Sequence, residues 1–241
     1  VSRLNRANNV RNVSFEIKAG EVLGMTGLVG AGRTETARLL FGADQLDSGT
    51  IQLDGKPVLT NSPKDAIRQG ICLLTEDRKA EGLILGQTVR ENFGLPNLPE
   101  FSSCGLIRKD QEKEAFSSYV NQIQIKITDT EQIAGTLSGG NQQKVVLAKW
   151  LQRNAKIVIF DEPTRGIDVG AKYEIYQLIN QLAEQGKAIL MISSELPEIL
   201  GMSDRILVMN EGQITGEITN VKNATQKDIM KLATKRVPLA A

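Results

Sequence analysis

The chain has 241 residues, of which 41% are hydrophobic and 24% are charged, and its formal net charge at pH 7 is +1. This length suffices for one large domain with a subdomain and for a substantial hydrophobic core. The charge balance gives no electrostatic case for nucleic-acid binding, the absence of histidine from the sequence removes imidazole chemistry, and no apolar stretch approaches the roughly 20 residues of a membrane-spanning helix.

The first third of the chain has the pattern of short strands. Val13–Ile17 alternates like an exposed strand, and Thr50–Leu53, followed by an Asp-Gly turn, resembles a hairpin arm. We therefore expect these early strands to be antiparallel. Pro63 is typical of the first position of a helix, and Gly70 is expected to end that helix.

Four later runs are almost entirely apolar, which is typical of central strands that are buried on both faces of a sheet. They are Ile71–Leu74, Ile157–Phe160, Ala188–Ile192 and Arg205–Met209. A helical pattern over Ala171–Glu184 separates two of these runs. Residues 89–153 contain no comparable run, so we expect a helical subdomain there, inserted into an α/β core of residues 1–88 and 154–241.

The two cysteines have no metal-like spacing. Cys72 lies inside an apolar run, which indicates a buried packing role, and Cys104 follows far along the chain. This usage fits a reduced, cytosolic setting.

The stretch Gly27-Leu-Val-Gly-Ala-Gly-Arg-Thr34 matches the phosphate-binding pattern G-x-x-x-x-G-K-[ST] except at one position. In such loops the glycines let backbone N–H groups converge on phosphate oxygens, and the following helix adds its positive N-terminal end. The final threonine ligates Mg²⁺. Arg33 stands in place of the lysine, so this motif alone leaves two interpretations open: a nucleotide site, and a glycine-rich turn without a ligand.

A second motif is the apolar strand Ile157–Glu162, which ends in two carboxylates. Asp161 is placed to hold Mg²⁺ through water, whereas Glu162 would point to the other side and could polarise an attacking water. A lone Asp-Glu pair at a strand end is usually solvated surface. Its combination with the phosphate loop favours a nucleotide site.

A third motif, Leu137–Lys144, places a serine and two glycines ahead of the helical run Val145–Leu151. It predicts a second anion-binding helix start, with a plain helix cap as the alternative. Together the motifs resemble the ATP-binding cassette of ABC transporters over essentially the whole chain. The stretches GLVGAGRTE, EDRKAEGL, LSGGNQQK, DEPTRGIDVGAKYEIY and SSELPEILGMSDRILVM are similar to the second, C-terminal cassette of two-cassette ATPases for ribose, arabinose, xylose and galactose import.

The resemblance implies a P-loop NTPase fold with a mainly parallel sheet, an N-terminal antiparallel β subdomain and an inserted helical subdomain. It also implies ATP and Mg²⁺ as cofactors. The loop residues expected to contact ATP are Gly27, Leu28, Val29, Gly30, Ala31, Gly32, Arg33, Thr34 and Glu35. The residues expected to serve Mg²⁺ are Thr34, Glu76 and Asp161.

The remaining site residues follow from the same resemblance. Glu162 occupies the position of the catalytic base, and Ser194 occupies that of the switch histidine. Ser138, Gly139 and Gly140 are expected to contact ATP bound to the opposite cassette, and Asp168 is expected to contact that cassette itself.

Four departures from the general cassette pattern bear on activity. Arg33 replaces the loop lysine, Glu76 replaces a glutamine, and Ser194 replaces the histidine, while residues 1–14 contain no aromatic side chain to stack on adenine. Losing one preorganised transition-state contact typically costs about 3–4 kcal/mol. We therefore expect a cassette that binds ATP, hydrolyses it slowly and supports a competent sibling cassette.

The resemblance also implies partners and a location. The expected partners are a second cassette, transmembrane permease subunits and, indirectly, a sugar-binding protein, with no nucleic acid. The expected location is the cytoplasmic face of the cell membrane. Two alternatives are a nucleotide-gated clamp on DNA or ribosomes, which usually carries coiled-coil or basic insertions, and a structural cassette that no longer binds nucleotide.

Overall fold

The computed structural model describes residues 1–153 and 155–235. Its strands are β1 (Ser2–Arg6), β2 (Val10–Val13), β3 (Val22–Gly27), β4 (Ser48–Leu53), β5 (Lys56–Val58), β6 (Ile71–Leu74), β7 (Ser102–Ser103), β8 (Leu106–Ile107), β9 (Ile157–Asp161), β10 (Ala188–Ile192), β11 (Arg205–Asn210) and β12 (Gln213–Ile218). Its α-helices are α1 (Arg33–Phe41), α2 (Pro63–Arg68), α3 (Val89–Gly94), α4 (Leu98–Phe101), α5 (Lys109–Gln122), α6 (Gly139–Leu151), α7 (Val169–Glu184), α8 (Leu196–Met202) and α9 (Gln226–Ala233).

The described residues form two compact units. The first comprises Val1–Leu73, Lys156–Glu162 and the chain from Ile179 onward, and the second comprises Leu74–Ala155 and Pro163–Leu178. The predicted helical segment 89–153 lies within the second unit. Residues 154 and 236–241 of the predicted core lie outside the described residues.

The main sheet has six strands in the order β12-β11-β3-β10-β9-β6. Strand β3 pairs in parallel with β10 and β11, and β10 pairs in parallel with β9, whereas β12 runs antiparallel to β11. All four predicted apolar runs are strands of this sheet, and every residue of Ile71–Leu74 and Ala188–Ile192 is buried. This arrangement confirms the predicted mainly parallel sheet, because burial on both faces is what makes such strands continuously apolar.

The predicted antiparallel subdomain is also present, as a four-stranded sheet in the order β2-β1-β4-β5. All of its pairs are antiparallel, and the predicted Asp-Gly turn joins β4 to β5. The strand predicted over Val13–Ile17 is displaced, because β2 spans Val10–Val13. Beyond it, Phe15 and Val1 exchange backbone hydrogen bonds of 3.2 and 2.8 Å without extending the strand.

In the second unit, helices α3, α5 and α6 carry most of the chain between residues 89 and 153. The rings of Phe101, Phe116 and Tyr119 surround Phe93, with centroids 5.9, 5.1 and 5.7 Å from it. The expectation of no strand here is corrected by the two-residue pair β7–β8, which is too short to give a periodic signal. The helix predicted over Val145–Leu151 begins earlier, at Gly139.

Neither cysteine of the described chain is in a disulfide. Cys72 is fully buried within β6, as predicted, and Cys104 is exposed in the turn between β7 and β8. Among the helices of residues 1–153 and 155–235, none combines the length and apolarity that crossing a bilayer requires.

Candidate nucleotide site

The glycine-rich loop joins β3 to α1, as a phosphate-binding loop requires. Gly32 is the N-cap of α1 with φ of 96°, and it has no side chain with which to cap the helix. A Cβ at this position would lie 2.4 Å from the carbonyl oxygen of Asn9, so both backbone conformation and space demand glycine. The N-terminal end of α1 therefore presents backbone N–H groups and a positive partial charge to any anion at the loop.

Side chains of the loop differ in exposure. Val29 is 98% exposed and Leu28 is 42% exposed, whereas Ala31 is buried. Glu35 lies in the first turn of α1, and its negative charge contributes to the raised pKa of Asp161.

Asp161 ends β9 beside this loop. Its side chain is 2% exposed, and burial raises its pKa from 3.8 to about 6, against a hydrogen bond with the side chain of Thr34 that lowers it. Within the described residues, the buried Oδ1 atom of Asp161 has no hydrogen-bond partner. A buried carboxylate oxygen of this kind is costly unless a cation or a donor satisfies it.

The Thr34–Asp161 pair fits Mg²⁺. Mg²⁺ is usually held by one or two carboxylates, a hydroxyl, waters and substrate phosphates, without a dedicated protein cage. No group of three Asp, Glu or Cys side chains that could hold a metal occurs in residues 1–153 and 155–235. When bound, the ion would neutralise charge on the phosphate oxygens.

Glu162 follows directly and lies in a different environment. Its Oε2 accepts a hydrogen bond of 3.1 Å from the Ser194 hydroxyl, and its Oε1 lies 3.6 Å from Nη1 of Arg33. Burial raises the pKa of Glu162, while the Ser194 hydrogen bond and the Arg33 charge lower it. The side chains of Arg33 and Glu162 are only 11% and 10% exposed, so this ion pair is shielded from water.

The other predicted site residues belong to the second unit. Glu76 forms an ion pair with Arg165. Ser138 is the N-cap of α6, where its hydroxyl accepts a hydrogen bond of 2.9 Å from Asn141, and Gly139 and Gly140 form the first turn. Asp168 accepts a hydrogen bond of 3.0 Å from the backbone N–H of Ala171 in the first turn of α7.

The structure thus brings Arg33, Thr34, Asp161, Glu162 and Ser194 together in the first unit. The sequence did not predict two ion pairs, Arg33 with Glu162 and Arg165 with Glu76. No spacing rule links such distant residues, because each pairing depends on where long side chains reach after folding.

A strand, a glycine loop and a helix, with a strand-end aspartate hydrogen-bonded to the loop threonine, define the P-loop class of nucleotide-binding proteins. The sequence profile of the ABC transporter family matches residues 10–165. The chain therefore belongs to the ABC transporter family.

Two curated relatives illustrate the sequence similarity. The putative ribose/galactose/methyl galactoside import ATP-binding protein 1 of Rhizobium etli is 56% identical over 234 residues, covering 97% of this chain and 44% of the relative. The ribose import ATP-binding protein RbsA of Bacillus subtilis is 54% identical over 223 residues, covering 92% of this chain and 45% of the relative. The chain spans about half the length of the curated relatives it matches.

Solved structures confirm the fold. A nucleotide-free ATP-binding cassette from an ABC transporter superposes with a TM-score of 0.80 at 20% identity, covering 98% of this chain and 97% of that one. A dimeric cassette in a post-hydrolysis state, bound to ADP and Pi, gives a TM-score of 0.74 at 22% identity, covering 90% of this chain and 95% of that one.

Proposed function

We propose that this chain is the ATP-binding cassette of a carbohydrate importer, and that it binds MgATP at the loop Gly27–Thr34. The observation that carries the proposal is the buried Asp161, hydrogen-bonded to Thr34 and left with an unpartnered Oδ1 among the described residues. A buried carboxylate at the mouth of a phosphate loop has a clear use as a metal ligand and a large cost otherwise. Names of relatives that refer to ribose and galactose import support a sugar as the transported solute.

Each site residue of the first unit has a proposed role in binding or hydrolysing ATP. Backbone N–H groups of the loop and the N-terminal end of α1 bind the phosphates, and Thr34 and Asp161 hold Mg²⁺. Glu162 orients the attacking water and accepts its proton. Ser194 fixes the Glu162 carboxylate through its hydrogen bond of 3.1 Å.

The same geometry supports slow hydrolysis at this site. The Arg33 guanidinium lies against the Glu162 carboxylate, and its charge opposes the larger effect of burial, which raises the Glu162 pKa. Ser194 is a neutral hydroxyl and cannot supply the second positive charge that a protonated imidazole would bring to the γ-phosphate. One lost transition-state contact typically reduces the rate by about 10²–10³-fold.

The second unit has a proposed role toward a second cassette and the membrane partners. Ser138, Gly139 and Gly140 would contact ATP bound by the opposite cassette, and Asp168 would face that cassette. Glu76, which forms an ion pair with Arg165, would also serve Mg²⁺. We further propose that the chain acts with permease subunits and a sugar-binding protein, and that it lies on the cytoplasmic face of the membrane.

Calorimetric titration with MgATP and a turnover assay test both parts. We expect wild-type chain to bind MgATP and to turn it over slowly. Arg33→Lys should raise turnover at least about tenfold, because the lysine ammonium lacks the fork that covers Glu162. Adding Glu162→Gln to Arg33→Lys should abolish the gain.

Two results would count against the proposal, each against a different part. Absence of binding at millimolar MgATP would remove the nucleotide site altogether. Wild-type turnover equal to that of Arg33→Lys would show that the arginine does not restrain Glu162.

A further inference from the structure

The segment directly after Glu76 is held in an unusual conformation. Arg78–Gly82 forms a turn of π-helix, which is rare in proteins and is frequently found at functional sites. The Asp77 carboxylate caps this turn by accepting hydrogen bonds of 3.0 and 3.1 Å from the N–H groups of Lys79 and Ala80. The ammonium of Lys149 on α6 donates a hydrogen bond to the Gly82 carbonyl at the other end. Both ends of the turn are therefore fixed.

Arg78, the first residue of this turn, contacts three residues in two other segments of the second unit. Its Nη1 donates a hydrogen bond of 3.0 Å to the carbonyl oxygen of Arg165. Its Nε lies 3.4 Å from Oε1 of Gln142, on the second turn of α6. Its Nη2 lies so close to Gly139 that a Cβ there would be 2.5 Å away. One guanidinium thus uses all three of its nitrogens.

Gln142 extends this network toward the start of the signature segment, defined as Ala134–Gly140. The Gln142 side chain is 3% exposed, and its Nε2 donates a hydrogen bond of 3.2 Å to the carbonyl of Ala134. Because that amide nitrogen is committed to Ala134, the amide oxygen is left to accept from Arg78. Arg78 therefore reaches both ends of the signature segment.

A second arginine, Arg165, joins the same two segments through another contact. The Arg165 guanidinium forms an ion pair with Glu76, while the Arg165 backbone carbonyl accepts from Arg78. The Glu76–Arg78 segment and the segment at Arg165 are thus joined twice.

We propose that Arg78 is a positioning residue for the signature segment, which it holds through Gly139 and Gln142. The assignment rests on the proposed function only for the role of that segment at nucleotide. Gly139 is glycine here because Arg78 occupies the space of a side chain, and not because of its φ, which lies outside the left-handed region. Since the obstructing atom is the tip of a flexible side chain, Gly139→Ala should fold and displace Arg78.

Hydrogen exchange on the full chain without nucleotide tests the proposal. We expect Arg78→Ala to speed amide exchange in residues 134–143 by about tenfold, since it removes hydrogen bonds that hold this segment. Arg78→Lys should not restore protection, because an ammonium cannot reach three partners as a planar fork does. Lys79→Ala is the matched control, since it removes an exposed positive charge from the same turn and should leave exchange unchanged. Unchanged exchange in Arg78→Ala, or full protection in Arg78→Lys, would overturn the proposal.

A double-variant cycle separates positioning from general destabilisation. Gly139→Ala should reproduce the exchange of Arg78→Ala, and the double variant should exchange no faster than either single variant. Additive effects would show that the two residues act independently and would overturn the proposal. Because no nucleotide is present, failure of MgATP binding would refute the proposed function while leaving this result intact.

Discussion

At the scale of single residues, two adjacent carboxylates are stabilised in different ways. Asp161 has one hydrogen bond from Thr34 and a raised pKa, whereas Glu162 has both Ser194 and Arg33 as partners. The unbalanced charge of Asp161 creates an energetic demand for a cation. Burial raises the pKa of Glu162, and its two partners oppose that rise. We therefore propose Asp161 as the metal ligand and Glu162 as the residue whose partners restrain hydrolysis.

Replacing Asp161 with asparagine should stabilise the metal-free chain. At pH 8 in a chelator, wild type bears the full cost of an ionised buried carboxylate, which is about 1–3 kcal/mol. The folded-state pKa of about 6 lies above the ordinary 3.8, so the folded chain binds a proton more tightly and this cost disappears as pH falls through that window. Urea denaturation should therefore show Asp161→Asn to be more stable at pH 8, with a difference that shrinks towards pH 4. A constant difference across this range would contradict the assignment.

The geometry of parallel strands explains which site residues can be predicted from the sequence. Asp161 and Glu162 lie at the end of the buried strand β9, and Thr34 follows the loop after β3 of the same sheet, so backbone topology alone brings them to one edge of that sheet. The Arg33–Glu162 pair has no such origin. It depends on the rotamer of a long side chain, which packing and local charge decide after the backbone is in place.

At the scale of secondary-structure elements, the second unit depends on one aromatic cluster. Phe93 on α3 is fully buried and touches rings from α4 and α5. Beside it, Arg90 of the same helix is 6% exposed and pairs with Glu112 and Glu131. A single helix of six residues thus joins its neighbours through both apolar and ionic contacts.

Truncation of Phe93 should therefore destabilise the chain strongly. Phe93→Ala removes a fully buried ring and should lower the free energy of unfolding by about 3–5 kcal/mol in urea denaturation. Tyr173→Ala on α7 is the aromatic control, since its side chain is 63% exposed and its loss should change stability by less than about 0.5 kcal/mol. Equal effects of the two variants would show that the cluster contributes little.

The elements that sequence predicts best are those with one dominant constraint. Strands buried on both faces, such as β10, have continuous apolar runs that no other structure explains as well. The strand predicted over Val13–Ile17 lies at Val10–Val13 instead. The pairing of β2 with β1 changes register, so the alternation of side chains over Val13–Ile17 does not indicate which residues are paired. β7 and β8 were missed because two residues contain no period.

At the scale of the whole molecule, ligand binding and stability are linked. A ligand that binds only the folded chain raises its stability by RT ln(1 + [L]/Kd), which is about 2.7 kcal/mol at 100 Kd. For a chain of this length the gain corresponds to roughly 5–10 °C in Tm. Thermal unfolding therefore reports nucleotide binding without requiring turnover, which matters for a cassette expected to hydrolyse slowly.

Variants of Thr34 distinguish the contribution of phosphate binding to Tm from that of metal binding. Wild type should show a larger rise in Tm with MgATP than with ATP in a chelator, since a bound Mg²⁺ would neutralise the buried Asp161 charge as well as charge on the phosphates. Thr34→Ala should lose the Mg²⁺-dependent part and keep the part due to backbone N–H groups of the loop. Thr34→Ser keeps a hydroxyl and should behave as wild type. If Thr34→Ala retained the full Mg²⁺ effect, the Thr34–Asp161 pair would not be the metal site.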